Sequence, residues 1–157
     1  MSTKQQNRTP FRVSSSAEIA APVTDVYRMI ADYRTRHARI IPPKYFANLR
    51  VESGGYGAGT IITYDMTAFG KTRHARAEVT EPQPGRVIVE TDHDESIATT
   101  FVVEPAGASR SRVTIATELP LRSGILGSLE RTVARSFLTR VYAAELALLA
   151  QQVPQGV

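Results

Sequence analysis

The final fifth of the chain constrains the fold most. Leu126, Leu129, Val133, Phe137, Val141, Ala144 and Leu148 recur at three- and four-residue spacing, which predicts one helix over about 124–152. At 1.5 Å per residue it is roughly 40 Å long. A helix with one apolar face cannot bury that face alone, so this one must lie across something broad and apolar. Arg131, Arg135 and Glu145 read as flanking the apolar face, with Arg140 on the far side.

The partner is legible upstream. From 47 to 119 the pattern has mostly a period of two: ANLRVES, TIITYDM, KTRHARAEV, RVIVETD, SIATTFVVE and RSRVTIATEL, joined mostly by short turns such as EPQPG and PAGAS. That predicts six antiparallel strands, the last stopped by Pro120. FRVSSSAEI adds a strand at the start, with Phe11, Val13, Ser15, Ala17 and Ile19 on one face. Between it and the meander, Pro22 opens a short helix whose stripe is Val23, Val26, Tyr27 and Ile30, continued by Tyr33 or Arg34. A second short helix begins near Arg36 and breaks at Pro42 and Pro43. The expected class is α+β: a seven-stranded antiparallel sheet curled around a long C-terminal helix, with two short helices after the first strand. Residues 1–10 read as a flexible N-terminal tail, 11–152 as a single domain and 153–157 as a C-terminal tail.

Composition narrows the function. A chain of 157 residues with 42% hydrophobic residues can bury a core large enough to hold a cavity. It has no cysteine, which excludes disulfides, thiolate metal ligands and a cysteine nucleophile. The net charge of +4 comes from 16 Arg and 3 Lys against 15 acids, scattered rather than gathered in a stripe. The nearest grouping is Arg34, Arg36 and Arg39, so no nucleic-acid partner is expected. No apolar run is long enough to cross a bilayer, and none at the N-terminus reads as a secretory signal. Membrane insertion is not expected, and cytoplasmic residence is the default.

Two motifs invite a cofactor and do not support one. ESGGYGAGT, residues 52–60, is glycine-rich, but a β run follows it instead of a helix N-terminus, and no GK[ST] is present. Its glycines fit a bend that needs positive φ, with Tyr56 at the tip, either simply exposed or, as the fold that this order of segments resembles implies, a gate over a cavity mouth. DHDE, residues 92–95, holds metal-ligand types, but neighbours on one turn cannot converge on one ion. No cofactor and no metal are expected.

The order of these segments resembles the START-like, or Bet v 1-like (SRPBCC), superfamily with its helix-grip fold, and within it the polyketide cyclase/dehydrase and lipid-transport branch. The residues that carry the resemblance are IAAPVTDVYRMIADY at 19–33, VESGGYGAGTIITY at 51–64, VIVETD at 87–92, TTFVVEPAGASRSRVTIATEL at 99–119, and the final helix. The likeness in layout covers about residues 11–152. It implies a deep cavity between sheet and long helix that takes a small apolar or aromatic molecule. It implies no universal catalytic residue.

Strand parity suggests what lines such a cavity. In KTRHARAEV, Arg73, Ala75, Ala77 and Val79 share the inward face, while His74, Arg76 and Glu78 face solvent. An arginine on the apolar face needs an acid, an anionic ligand or a route to water at the rim. In GTIITYDM, Tyr64 points inward with Ile62 and Met66, either as a core tyrosine or as a hydrogen-bonding group for a ligand. Ser15, Ala17, Ala75, Ala77 and Thr99 are small inward residues, marking close helix approach or open space. His37 lies in the region that the resemblance makes part of a cavity lid; it is either a general acid or base or a surface histidine in a basic helix. The ligand-binding candidates are therefore Tyr33, His37, Tyr56, Tyr64, Arg73 and Thr99, and any catalysis would fall to Tyr64, Arg73 or His37. Three functions stay open: a binder of a small hydrophobic ligand (lipid, aromatic polyketide or similar metabolite), a cyclase- or dehydratase-type enzyme on such a ligand, and a protein-interaction module. Oligomeric state is open as well.

Overall fold

A computed structural model describes residues 9–121 and 124–153. The expected tails lie largely outside these residues, as does the side chain of Leu126. Seven antiparallel strands form one sheet in the order β1-β7-β6-β5-β4-β3-β2. They are β1 (Thr9–Ile19), β2 (Phe46–Ser53), β3 (Ile61–Ala68), β4 (Lys71–Gln83), β5 (Val87–Asp92), β6 (Ile97–Pro105) and β7 (Ser111–Leu121). Helix α1 (Val23–Ala31) and a single 3-10 turn (His37–Arg39) connect β1 to β2, and α2 (Ile125–Gln152) ends the fold.

Three boundaries differ from the sequence reading. β1 starts at Thr9 and includes Pro10, which pairs with Pro120 of β7. Pro120 therefore ends no strand. The pairing of β7 with β6 stops at Glu118, so Pro120 needs no N–H on that side. Val153, assigned to the tail, is buried and belongs to the core.

Parity explains the sheet's inner face. Ala75, Ala77 and Val79 of β4 are buried while His74 and Arg76 are exposed, and Val13, Ile19, Val113 and Ile115 fill the same core from β1 and β7. Small residues on β1 let α2 approach: Ser15 and Ala17 face Ala143, Leu146 and Ala147. Leu138, Val141, Tyr142, Leu146 and Leu149 are the buried face of α2. Leu129 and Val133, expected on that face, are exposed at the start of the helix.

The glycine loop ties the sheet to the segment after α1. Gly57 N–H donates to the Ala31 carbonyl at 3.0 Å, and Tyr33 N–H donates to the Gly55 carbonyl at 2.9 Å. Gly57 has φ +59, and a Cβ there would run into the Glu81 carboxylate. Glu81 in turn accepts from Ala58 N–H at 2.9 Å and from Tyr27 Oη. The loop is a clasp that fixes where Tyr33 and His37 sit.

Candidate functional site

Sheet and α2 do not close completely. Between them lies a cavity of about 250 Å³. Its apolar wall includes Ile41, Phe46, Leu49, Ile62, Met66, Phe101, Leu119, Phe137, Leu138 and Val141. Few polar groups reach it: His37, Tyr64, Arg73, Glu90, Thr99, Thr117, Tyr142 and Glu145. An unfilled core of this kind departs from the filled one that a pure interaction module predicts.

Local structure explains how His37 arrives here. The Asp32 carbonyl accepts the N–H groups of both Arg36 and His37, at 3.0 and 2.8 Å, which turns the chain back under α1. His37 is 2% exposed, so it is not a surface residue of a basic helix. Its Nδ1 bonds the Ile30 carbonyl at 2.7 Å, and its ring stacks on Tyr33 with centroids 4.4 Å apart. Nε2 then points at Glu90 Oε1, 3.6 Å away. Tyr33 donates its hydroxyl to that same oxygen at 2.7 Å. Burial first, then the Glu90 carboxylate, holds the Tyr33 phenol well above its ordinary range. Tyr33 thus supports the cavity wall from behind, and it is not among the lining residues.

Arg73 reaches the cavity but has its partner in the fold. Its Nη1 donates to Asp92 Oδ2 at 2.6 Å. Asp92 is buried, and its other oxygen accepts the N–H groups of Asp94 and Glu95 at 3.1 Å each. The DHDE segment accordingly splits: Asp92 turns inward to Arg73, while His93 turns outward to Glu78 at 3.0 Å. Thr99 lines the cavity and shares a 2.8 Å hydrogen bond with Thr117, which accepts the Tyr142 hydroxyl from α2. That short chain joins helix to sheet across the cavity.

Tyr64 also lines the cavity, and its hydroxyl has no hydrogen-bond partner among the described residues. Burial pushes this phenol up, helped by Glu90 and opposed by Arg73. Tyr56 is elsewhere. It is 57% exposed, paired with Asp32 in an isolated bridge on the outside of the glycine loop. Phe69 and Phe137, by contrast, both line the cavity and pack together with ring centroids 5.3 Å apart. Phe69 is 70% exposed at the β3–β4 turn with φ +52, a left-handed conformation unusual for a bulky residue.

Two site residues escaped the sequence reading, Glu90 and Glu145. Glu145 was placed beside the apolar face of α2, yet it is 5% exposed and opens into the cavity. It has four-residue spacing from both Val141 and Leu149, which puts it inside the stripe. Glu90 shares parity with buried Ile88 and Asp92 on β5. Burial, and then the charge of Glu90, hold the Glu145 carboxyl well above the usual carboxylate range. No hydrogen-bond partner of Glu145 exists among the described residues.

A curled antiparallel sheet closed by a long C-terminal helix over such a cavity is the helix-grip fold. Residues 10–154 match the family described as polyketide cyclase / dehydrase and lipid transport, and the chain belongs to that family. Among solved structures, the KanY protein is similar, with 27% sequence identity and a TM-score of 0.80 over 92% of this chain and 98% of that one. A Streptomyces aromatase/cyclase, ZhuI, has a TM-score of 0.71 at 17% identity, covering 92% and 94% of the two chains. A START superfamily protein from Mycobacterium smegmatis has a TM-score of 0.70 at 15% identity, covering 92% and 97%. The last two likenesses concern the fold alone. A search of curated proteins finds no significant match.

Proposed function

We propose that this protein binds a small hydrophobic ligand, such as a lipid, an aromatic polyketide or a similar metabolite, between its sheet and α2. The observation that carries the reading is the cavity of about 250 Å³, apolar over most of its wall and polar in a few places. Dry apolar cavities of about 150 Å³ take up benzene. The space here suits a somewhat larger body, such as a bicyclic ring system or a short folded chain. Membership of a family described by polyketide cyclisation, dehydration and lipid transport supports the same class of ligand. The test is native mass spectrometry of protein purified from its own host, with identification of any small molecule that co-purifies. A bound apolar metabolite supports the reading. Protein that stays empty when offered apolar metabolites of this size contradicts it.

A second reading, a cyclase- or dehydratase-type enzyme, is favoured by one observation. Glu145, its carboxyl held well above the usual carboxylate range by burial and then by Glu90, lines an apolar cavity that also holds Glu90 and His37, which offers an acid and an acceptor to one bound molecule. A carboxylic acid of this kind could protonate a carbonyl or a departing hydroxyl. Tyr64 and Arg73 have supporting parts in this reading: Tyr64 has a free hydroxyl to orient the ligand, while Arg73 is held by Asp92. Turnover of a ligand identified by mass spectrometry, lost in Glu145→Gln with binding retained, separates the enzyme from the carrier.

A further inference from the structure

We infer that Glu145, together with Glu90 and Tyr64, forms a recognition site for a protonated amine carried on an aromatic or otherwise apolar body. The inference rests on the reading of the cavity as a ligand site and adds the charge of the ligand. Glu145 is 5% exposed, lines the cavity and has no hydrogen-bond partner among the described residues. An ionisable group placed on the buried face of a long helix is costly unless something pairs with it.

The described residues supply no such partner. Arg73 is bound to Asp92 at 2.6 Å, and His37 faces Glu90 with Nε2 while its Nδ1 is taken by the Ile30 carbonyl. Glu90 from β5 acts on Glu145, which in turn acts on Tyr64 from β3, Tyr33 after α1 and Tyr142 on α2 itself. Tyr142 is already committed to Thr117, and Tyr33 to Glu90. The groups left to meet a ligand are the Glu145 carboxyl, the Glu90 oxygen that Tyr33 does not occupy, and the Tyr64 hydroxyl.

Ligand chemistries differ in how well they answer this set. An anionic head would face two carboxyls with no uncommitted cation at the cavity among the described residues to offset them. A neutral carbonyl uses only the Glu145 proton. An ammonium brings three N–H donors and a positive charge, enough for Glu145, Glu90 and the oxygen of Tyr64. In the empty site burial, and then Glu90, make the Glu145 carboxyl hold its proton to a higher pH than an exposed carboxyl does. When the ammonium pairs with it, the carboxyl ionises and its proton passes to bulk solvent. Binding therefore releases a proton, and the charge inside the cavity stays balanced.

Three probes of matched shape test this by isothermal titration calorimetry: 2-naphthylmethylamine, 2-naphthalenemethanol and 2-naphthoate. The amine is expected to bind at least about tenfold tighter than the alcohol, with naphthoate weakest. Titrations in buffers of different ionisation enthalpy are expected to show net proton release for the amine and none for the alcohol. Glu145→Gln should abolish the amine preference and the proton release. Equal affinity for amine and alcohol, a preference for naphthoate, absence of proton release, or an amine preference that survives in Glu145→Gln overturns the inference and leaves the cavity as a neutral site. Failure of all three probes to bind overturns the ligand-site reading itself. The wild-type comparison decides the matter even where the variant does not fold.

Discussion

Glu90, on β5, and Glu145, on α2, open into one cavity from its two walls, and burial first, then the field of Glu90, opposes ionisation of Glu145. The folded state therefore keeps the Glu145 proton to a higher pH than the unfolded chain does. Above the ordinary carboxylate range the native state binds more protons, so stability falls as pH rises, by at most about 1.4 kcal/mol per pH unit, until Glu145 ionises in the fold. Glu145→Gln removes this slope. In ligand-free denaturation series from about pH 5 to 8, the variant is expected to gain on the wild type as pH rises. Parallel profiles would mean that Glu145 ionises freely in the fold.

Arg73 and Asp92 make a different kind of contact, a direct 2.6 Å charge pair at the cavity edge. Breaking a fully buried pair costs about 3–5 kcal/mol. Arg73 is 34% exposed, and Asp92 keeps two backbone donors, so water and those donors absorb part of the loss. Arg73→Met is expected to cost about 1–3 kcal/mol in urea unfolding. The double variant Arg73→Met/Asp92→Asn should recover part of it, since no unpaired charge remains. A double variant as unstable as the sum of the single ones would show that the pair is not coupled.

Much of the fold was legible because its signals are periodic. A two-residue period with one buried face fixed the inward set on β3 and β4, and Tyr64 and Arg73 both reach the cavity as that parity requires. The α2 boundaries followed from its stripe. The site was less legible: the helix pattern sets Glu145 beside the apolar face, and the strand pattern singles out no role for Glu90. Yet Glu145 sits inside the stripe and Glu90 inside the strand pattern, and spacing alone marks both as inward. His37 was harder. It is carried inward by two hydrogen bonds to the Asp32 carbonyl and by the glycine clasp, and no periodicity encodes such a turn.

The same clasp gives a prediction about the glycine loop. Gly57 holds φ +59, and an added Cβ would displace Glu81 from Ala58 and Tyr27. Gly57→Ala is expected to destabilise the protein by about 1–3 kcal/mol in thermal or urea unfolding. Gly85 also has positive φ, at +82, but open space around it. Gly85→Ala should cost less, because only the backbone conformation is strained. Equal losses at the two positions would remove Glu81 from the explanation.

The rim makes a kinetic prediction. Phe69 stands exposed against Phe137 at the cavity, whereas Tyr56 lies outside the loop clasp. Phe69→Ala should speed release of a bound naphthalene probe several-fold with little change in stability, and Tyr56→Ala should leave release unchanged. Stopped-flow displacement measures both. Faster release in Tyr56→Ala alone would restore Tyr56 as the gate.

The central claim is that the space between sheet and α2 is a ligand site, and the most direct measurement is a 15N-HSQC titration with 2-naphthalenemethanol. Saturable shifts are expected to concentrate at the lining residues Tyr64, Glu90, Thr99, Thr117, Leu138 and Glu145, and to be lost in Ala134→Phe, which fills the cavity from α2. Shifts confined to exposed residues such as Leu129 and Val133, or shifts that persist in Ala134→Phe, would contradict it.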